Sequence, residues 1–269
     1  MKLSKILLTA VAAVSVIGFA SCGNQGNVGQ KINKTNDSTE YKYVREWSKT
    51  TTKHYKATAI IKNENPTVLA DPTYPRFVKG TDVVANATLG FLFGLEEDTE
   101  TEKEVAGTKF YNFGIAAVRY NTVAKKNQWY VSWVKAAPET VFKSNNSSDF
   151  KDTLELSDGT KKEFGEETEV KATWSDAKFD LIDDELVASI VVTANDDGSY
   201  TVDLMDEKQE TTYDSATISN SVTGLTEKTQ KFIGRYVTVY SGQTVQGSIK
   251  YKDIEGNVIP DYEEIVFDD

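Results

Sequence analysis

Cysteine and histidine are almost absent. Cys22 is the only cysteine and His54 the only histidine of the 269 residues. One cysteine cannot form an intramolecular disulfide, so a folded body must be held by burial alone. A Cys-rich zinc site is excluded, and a Ser/His/Asp triad would have to use His54, which stands at the start of a strand-like run with no G-x-S-x-G motif near it. His54 is read as a strand-end residue. Proline is also scarce. Three of the five, Pro66, Pro72 and Pro75, fall in Asn63–Lys79, which marks a loop or edge segment and leaves the other apolar runs uninterrupted. No segment of ten or more residues shows convincing helical periodicity, and phosphate-cradling glycine motifs are missing. Gly90 and Gly94 sit in a strand-like run without a following helix.

Basic residues are outnumbered. Thirty Lys and Arg face 41 Asp and Glu, for a net charge of −11. An acidic surface with few basic clusters argues against nucleic acid and against anionic lipid as direct partners. Glu96–Glu104, Glu163–Glu169, Asp180–Glu185, Asp206–Glu210 and Asp261–Asp269 hold most of the acid in loop-like stretches, as a solvated surface would.

What is abundant is strand chemistry. Aromatics make up 11%, with 13 Tyr and 12 Phe against two Met. Three runs within Val83–Lys135, VVANATLGFLFGLEED, KFYNFGIAAVRYN and QWYVSWVK, are nearly continuously apolar, which predicts strands covered on both faces. In the third, Trp129, Val131 and Trp133 share one face while Tyr130, Ser132 and Val134 share the other. Strand, Asn195-Asp196-Asp197-Gly198 turn, strand is the strongest hairpin signal in the chain. With no repeat and no second composition regime, the pattern predicts a single all-β domain, an antiparallel sandwich of about ten to twelve strands over 41–269.

The residues before it read differently. Lys2 and Lys5 precede an apolar stretch, Ile6–Phe19, too short for a transmembrane helix. This is the pattern of an export signal over 1–22. Its end, Phe19-Ala20-Ser21-Cys22, resembles a bacterial lipobox, with Phe19 where that pattern carries an aliphatic residue. The resemblance implies lipidation of Cys22 and attachment to a membrane in the cell envelope. The alternative is an ordinary secretory signal with Cys22 incidental. Residues 23–40 are rich in Gly, Asn, Ser and Thr and are expected to form a flexible tether.

GFLFGLEED, YNFGIAAVRYN, QWYVSWVK, VVTANDDGSYTVDLM and GRYVTVYSGQTVQGSIKYKDI, taken in that order, resemble the strand sequence of concanavalin A-like (LamG-type) jelly rolls over Asn86–Ile254. The resemblance implies that Gly234–Tyr240 returns beside Gly90–Gly94. It also implies a kinship that includes lectins, adhesive domains and glycoside hydrolases. The hydrolase signature E-x-D-x-x-E is not found on a strand here. Fold kinship alone does not make an enzyme.

Candidate binding residues follow from sugar chemistry, in which the apolar face of a pyranose packs on an aromatic ring and polar neighbours bond its hydroxyls. They are Trp129, Tyr130, Trp133 and Trp174, with Asn112, Arg119 and Asn121 as polar neighbours. The competing expectation is that Trp129 and Trp133 fill the core. Because they share a face they share a fate, and Tyr130 takes the opposite one. No catalytic residue and no cofactor is assigned. Calcium would find oxygens at Asn195–Asp197 or Glu96–Asp98, although neither matches an EF-hand loop. The reading is a lipid-anchored envelope protein that binds a glycan, or else a host or envelope protein, without catalysis. A glycosidase using two loop carboxylates and a structural surface antigen are the alternatives.

Overall fold

The computed structural model describes residues 30–36, 43–67, 87–122, 124–143, 150–240, 243–259 and 262–264. Cys22, the expected export signal over 1–22, most of the proline-bearing segment and residues 83–86 of the first apolar run lie outside them. Among the described residues the chain forms fifteen strands, against ten to twelve expected. They are β1 (Gln30–Asn36), β2 (Tyr43–His54), β3 (Lys56–Asn63), β4 (Thr88–Glu97), β5 (Phe110–Asn121), β6 (Lys126–Pro138), β7 (Asp152–Glu155), β8 (Lys161–Phe164), β9 (Glu166–Asp176), β10 (Leu186–Ala194), β11 (Tyr200–Met205), β12 (Thr212–Ile218), β13 (Lys231–Tyr240), β14 (Gln243–Lys252) and β15 (Tyr262–Glu264). Three single-turn helices interrupt them: α1 (Thr99–Glu102), α2 (Thr140–Lys143) and α3 (Asn220–Thr223).

The strands make an antiparallel β-sandwich. One sheet has the order β1-β14-β3-β10-β11-β12, the other β15-β2-β13-β4-β5-β6-β9, and β7-β8 is a separate hairpin. Strand parity builds the core. Leu89, Phe91 and Phe93 of β4 face Ala57, Ala59 and Ile61 of β3, Ile190 of β10 and Ile249 and Tyr251 of β14 in one buried cluster. Leu92, Phe113, Ile115, Ala117 and Val134 point the other way and form a second cluster, which Val141 and Phe150 cover from outside the sandwich. Phe150 meets Phe113 edge-on at 5.4 Å and Tyr236 at 6.0 Å. The three central runs are therefore covered on both faces, which is why they read as continuous apolar sequence.

Several expected pairings are present. Gly234–Thr238 of β13 lies beside β4, with Arg235 opposite Phe91 and Val237 opposite Leu89. β10 and β11 form the hairpin, closed by the Asn195 carbonyl accepting from Gly198 N at 2.9 Å. Gly198 has φ +84°, a conformation glycine takes without a Cβ penalty.

The expected tether needs correction. Gln30–Asn36 is not outside the fold: β1 pairs antiparallel with β14, Gln30 opposite Ile249 and Asn36 opposite Gln243. Ile32 is buried in the main core cluster and Asn36 Nδ2 donates to the Val239 carbonyl at 3.1 Å. The sandwich thus includes Gln30–Asn36, upstream of the expected start near Tyr41.

The chain crosses between sheets at Tyr55, a bend between β2 and β3. The Tyr55 carbonyl accepts from Ala194 N at 2.8 Å, so this corner and the β10–β11 turn lie at the same end of the sandwich. The β5–β6 turn is at the opposite end.

Candidate functional site

Trp129 and Trp133 are core residues, and this removes them from the binding set. Both point between the sheets, at 0% and 2% exposure. The gap between packed sheets is about 10 Å, and large rings on a central strand are what fills it. Trp129 Nε1 donates to Asp214 Oδ2 at 3.1 Å, and Lys171 Nζ binds the same oxygen at 2.5 Å. Asp214 belongs to β12 and Lys171 to β9, the edge strands of opposite sheets, so the indole and the ion pair clip the sandwich shut along one side. Burial alone would raise the Asp214 carboxyl. The Lys171 ammonium, the Ser215 amide and the Trp129 indole outweigh it and hold the carboxyl below its ordinary value. Trp133 stacks on Tyr200 at 5.6 Å and packs near Phe93 at 6.4 Å.

Asn112 is also withdrawn from the binding set. It lies at a register shift between β5 and β6, where its Oδ1 accepts from Ala136 N at 2.9 Å. A bulge leaves a backbone N–H without a ladder partner, and this side chain supplies one.

Of the four remaining candidates, Tyr130, Trp174 and Arg119 come together on the outer face of the seven-stranded sheet, and Asn121 joins them through a shared hydrogen-bond partner. Tyr130 is opposite in parity to Trp129 and so faces outward. Trp174 reaches it from β9 because that strand is irregular: Trp129 pairs with Ser175, but Val131 pairs with Lys171, leaving 172–174 as a bulge. Trp174 itself has φ +54°, a left-handed backbone that a bulky residue adopts rarely and at a cost of order 1–3 kcal/mol. The bulge brings the indole to 4.9 Å from the Tyr130 ring, and the Arg119 guanidinium lies 3.9 Å from the indole centroid. All three side chains are half-buried.

A polar rim continues from them. Arg119 sits opposite Gln128 across the β5–β6 ladder, and its Nε and Nη2 donate to Gln128 Oε1 at 3.1 and 3.0 Å. Asn121 Nδ2 donates to the same oxygen at 3.3 Å. Gln128 Nε2 donates to Asp176 Oδ1 at 3.3 Å, and Lys126 Nζ to Asp176 Oδ2 at 2.7 Å. Hydrogen bonds from Lys126 and then Gln128 keep the Asp176 carboxyl below its usual range. Gln128, Lys126 and Asp176 were not expected from the sequence. The signal that would have found them is the pairing register set by the β5–β6 turn, which puts Asn121 opposite Lys126.

A second concavity, of about 300 Å³, is lined by Lys49, Leu95, Glu96, Glu97, Thr99, Tyr111 and Phe232. Its two carboxylates are engaged: Glu96 with Lys53 at 2.5 Å and Glu97 with Lys109 at 3.6 Å. Lys49 and Lys53 lie 4.7 and 5.0 Å from the Phe232 ring. Burial, with help from Glu97, pushes the Tyr111 hydroxyl up. His54 Nε2 is 2.9 Å from Thr52 Oγ1 at the end of β2. Burial lowers its pKa against the opposing fields of Asp253 and Glu255.

Among the described residues no three His, Cys, Asp or Glu side chains gather into a metal-holding group. Two of the carboxylates named for calcium make turn and cap hydrogen bonds. Asp197 Oδ1 accepts from Ser199 N at 3.0 Å, and Asp98 Oδ1 accepts from Thr101 N at 3.1 Å to cap α1. The sequence matches no protein-family model, and no curated protein resembles it at a significant level.

Proposed function

We propose that this is an exported lipoprotein, anchored through acylated Cys22, whose sandwich binds a carbohydrate without catalysis through Trp174, Tyr130 and Arg119. The observation that carries the reading is Trp174. Its backbone is held at φ +54° in a bulge, and the strain delivers its ring to the outer face beside another aromatic and a guanidinium. Strained backbone persists where the surroundings over-determine it, and such positions cluster at ligand clamps. The chemistry is that of sugar recognition. Aromatic rings offer flat apolar area, and Arg119, Gln128, Asn121 and Asp176 offer donors and acceptors already fixed in a network. The strand sequence that resembles concanavalin A-like domains supports the same class of ligand.

Both carboxylates of the second concavity are ion-paired, which favours binding over hydrolysis. A glycan array probed with the chain lacking residues 1–22 tests the reading. Binding to at least one glycan family, lost in Trp174→Ala and in Arg119→Ala with the fold retained, is the expected result. No glycan binding by the unsubstituted chain would sink it, and release of reducing sugar would replace it with the hydrolase alternative.

A further inference from the structure

Where the N-terminal strand begins, and which way it runs, restricts how an anchored molecule can sit. Gln30 lies opposite Ile249 of β14, and β14 continues past that point to Lys252 and the turn at Asp253–Asn257. The Gln30 end of β1 therefore points toward that turn. The Asp253–Asn257 turn is at the Tyr55 corner end, since Lys252 at the end of β14 pairs with Thr58 near the start of β3. From Ile249 to the turn is about 15 Å at ~3.4 Å per residue. Cys22 is only eight residue steps before Gln30, so an extended chain spans about 28 Å at most. A lipid on Cys22 would leave little more than 10 Å between this end of the sandwich and the bilayer surface.

The same end carries apolar groups that face solvent. Of the three large hydrophobic side chains exposed among the described residues, Tyr55 at 41% and Ile254 at 65% are both here, while Ile182 precedes β10 at the other end. Lys53 and Lys56 flank Tyr55 and are exposed, and Lys228 lies 5.1 Å from its ring. Acids are present too: Asp196 pairs with Lys228 at 3.7 Å, and Asp253 and Glu255 stand near His54. A mixed-charge rim around a tyrosine and an isoleucine suits a phospholipid headgroup layer. There aromatic rings with a polar tip settle, and lysine stems lie along apolar surface with their charge in water.

We propose that the Tyr55–Ile254 end is a membrane-facing surface, resting on the phospholipid headgroups of the bilayer that holds the Cys22 lipid. This rests on the lipidation reading above. It turns the β5–β6 end, with Arg119, Lys126 and Asp176, away from the bilayer and toward the medium.

The test uses the lipidated full-length protein in phosphatidylcholine–phosphatidylethanolamine vesicles carrying a nitroxide on the headgroup. Acylated Cys22 has no thiol, so Ile254→Cys and Ala124→Cys each accept one fluorophore at opposite ends. Quenching several-fold stronger at position 254 than at 124 is expected. Equal quenching, or stronger quenching at 124, overturns the proposed orientation while leaving the anchor intact. Mass analysis of residue 22 separates the two failures, because a Cys22 without acyl chains overturns anchor and orientation together.

Discussion

The two faces of β6 carry similar residues with opposite fates. Trp129 and Trp133 fill the space between the sheets; Tyr130, opposite to both in parity, meets Trp174 outside, and Arg119 lies over that indole. The inner pair is held by shape and by one clip to Asp214. The outer set is held by a guanidinium, a strained backbone and a polar network. The difference teaches that aromatic content on a strand says nothing about role until the direction of the partner sheet is known.

The sharpest way to break the comparison is to truncate one ring on each face. Trp129→Ala should cost about 3–5 kcal/mol, since it empties a fully buried site and strips Asp214 of a donor. Trp174→Ala should cost about 1 kcal/mol or less, because its side chain is half-buried and the replacement relieves none of the core. Denaturant unfolding of both measures the gap. Equal losses would mean that the outer ring is structural.

Gly94→Ala comes next. Gly94 has φ +62°, and a Cβ there would lie 2.8 Å from the Trp133 ring. The left-handed backbone alone costs about 1–2 kcal/mol, with the contact added to it. A thermal melt close to that of the unsubstituted chain would show that the Trp133 side of the core yields more readily than its burial implies.

Asp214→Asn should cost about 1 kcal/mol at neutral pH, as expected for a hydrogen bond to an ionised partner weakened rather than removed. The sign with pH follows from the depressed carboxyl. Its stabilisation is present above the unfolded value near 4 and is lost as pH falls through the lower folded value. The stability difference between the unsubstituted chain and Asp214→Asn should therefore shrink below about pH 4. A constant difference down to pH 2 would remove the ion pair from the account. The smallest effect on stability belongs to Arg119→Lys, expected within about 0.5 kcal/mol. Its mark should appear in glycan binding, because an ammonium cannot reproduce the flat stack on Trp174 or the paired donors to Gln128.

The central strands were legible because burial on both faces writes continuous apolar sequence, and the β10–β11 turn because Asn-Asp-Asp-Gly has few other uses. Parity on β6 was also legible, which tied Trp129 to Trp133. What parity cannot supply is the side from which the second sheet arrives, a long-range fact. β1 was missed for a related reason. An edge strand is bound through its backbone and needs only one buried apolar side chain, here Ile32, so QKINKTN reads as tether. Asn112 looked like a ligand contact because a bulge has no signature of its own. Trp174 was visible as an aromatic, but the φ +54° that aims it was not.

The pairing of Gln30 with Ile249 has a consequence in time. Among the described residues, the first strand acquires its one ladder partner after more than two hundred further residues have been made. Until then β1 has no strand to pair with, and β3 lacks its β14 neighbour. Contacts this distant in sequence slow folding, because loop closure is paid before the contact forms. The sandwich must consequently close late and from both chain ends together, and with β13 also needed between β2 and β4 its nascent chain spends most of synthesis with both sheets unfinished.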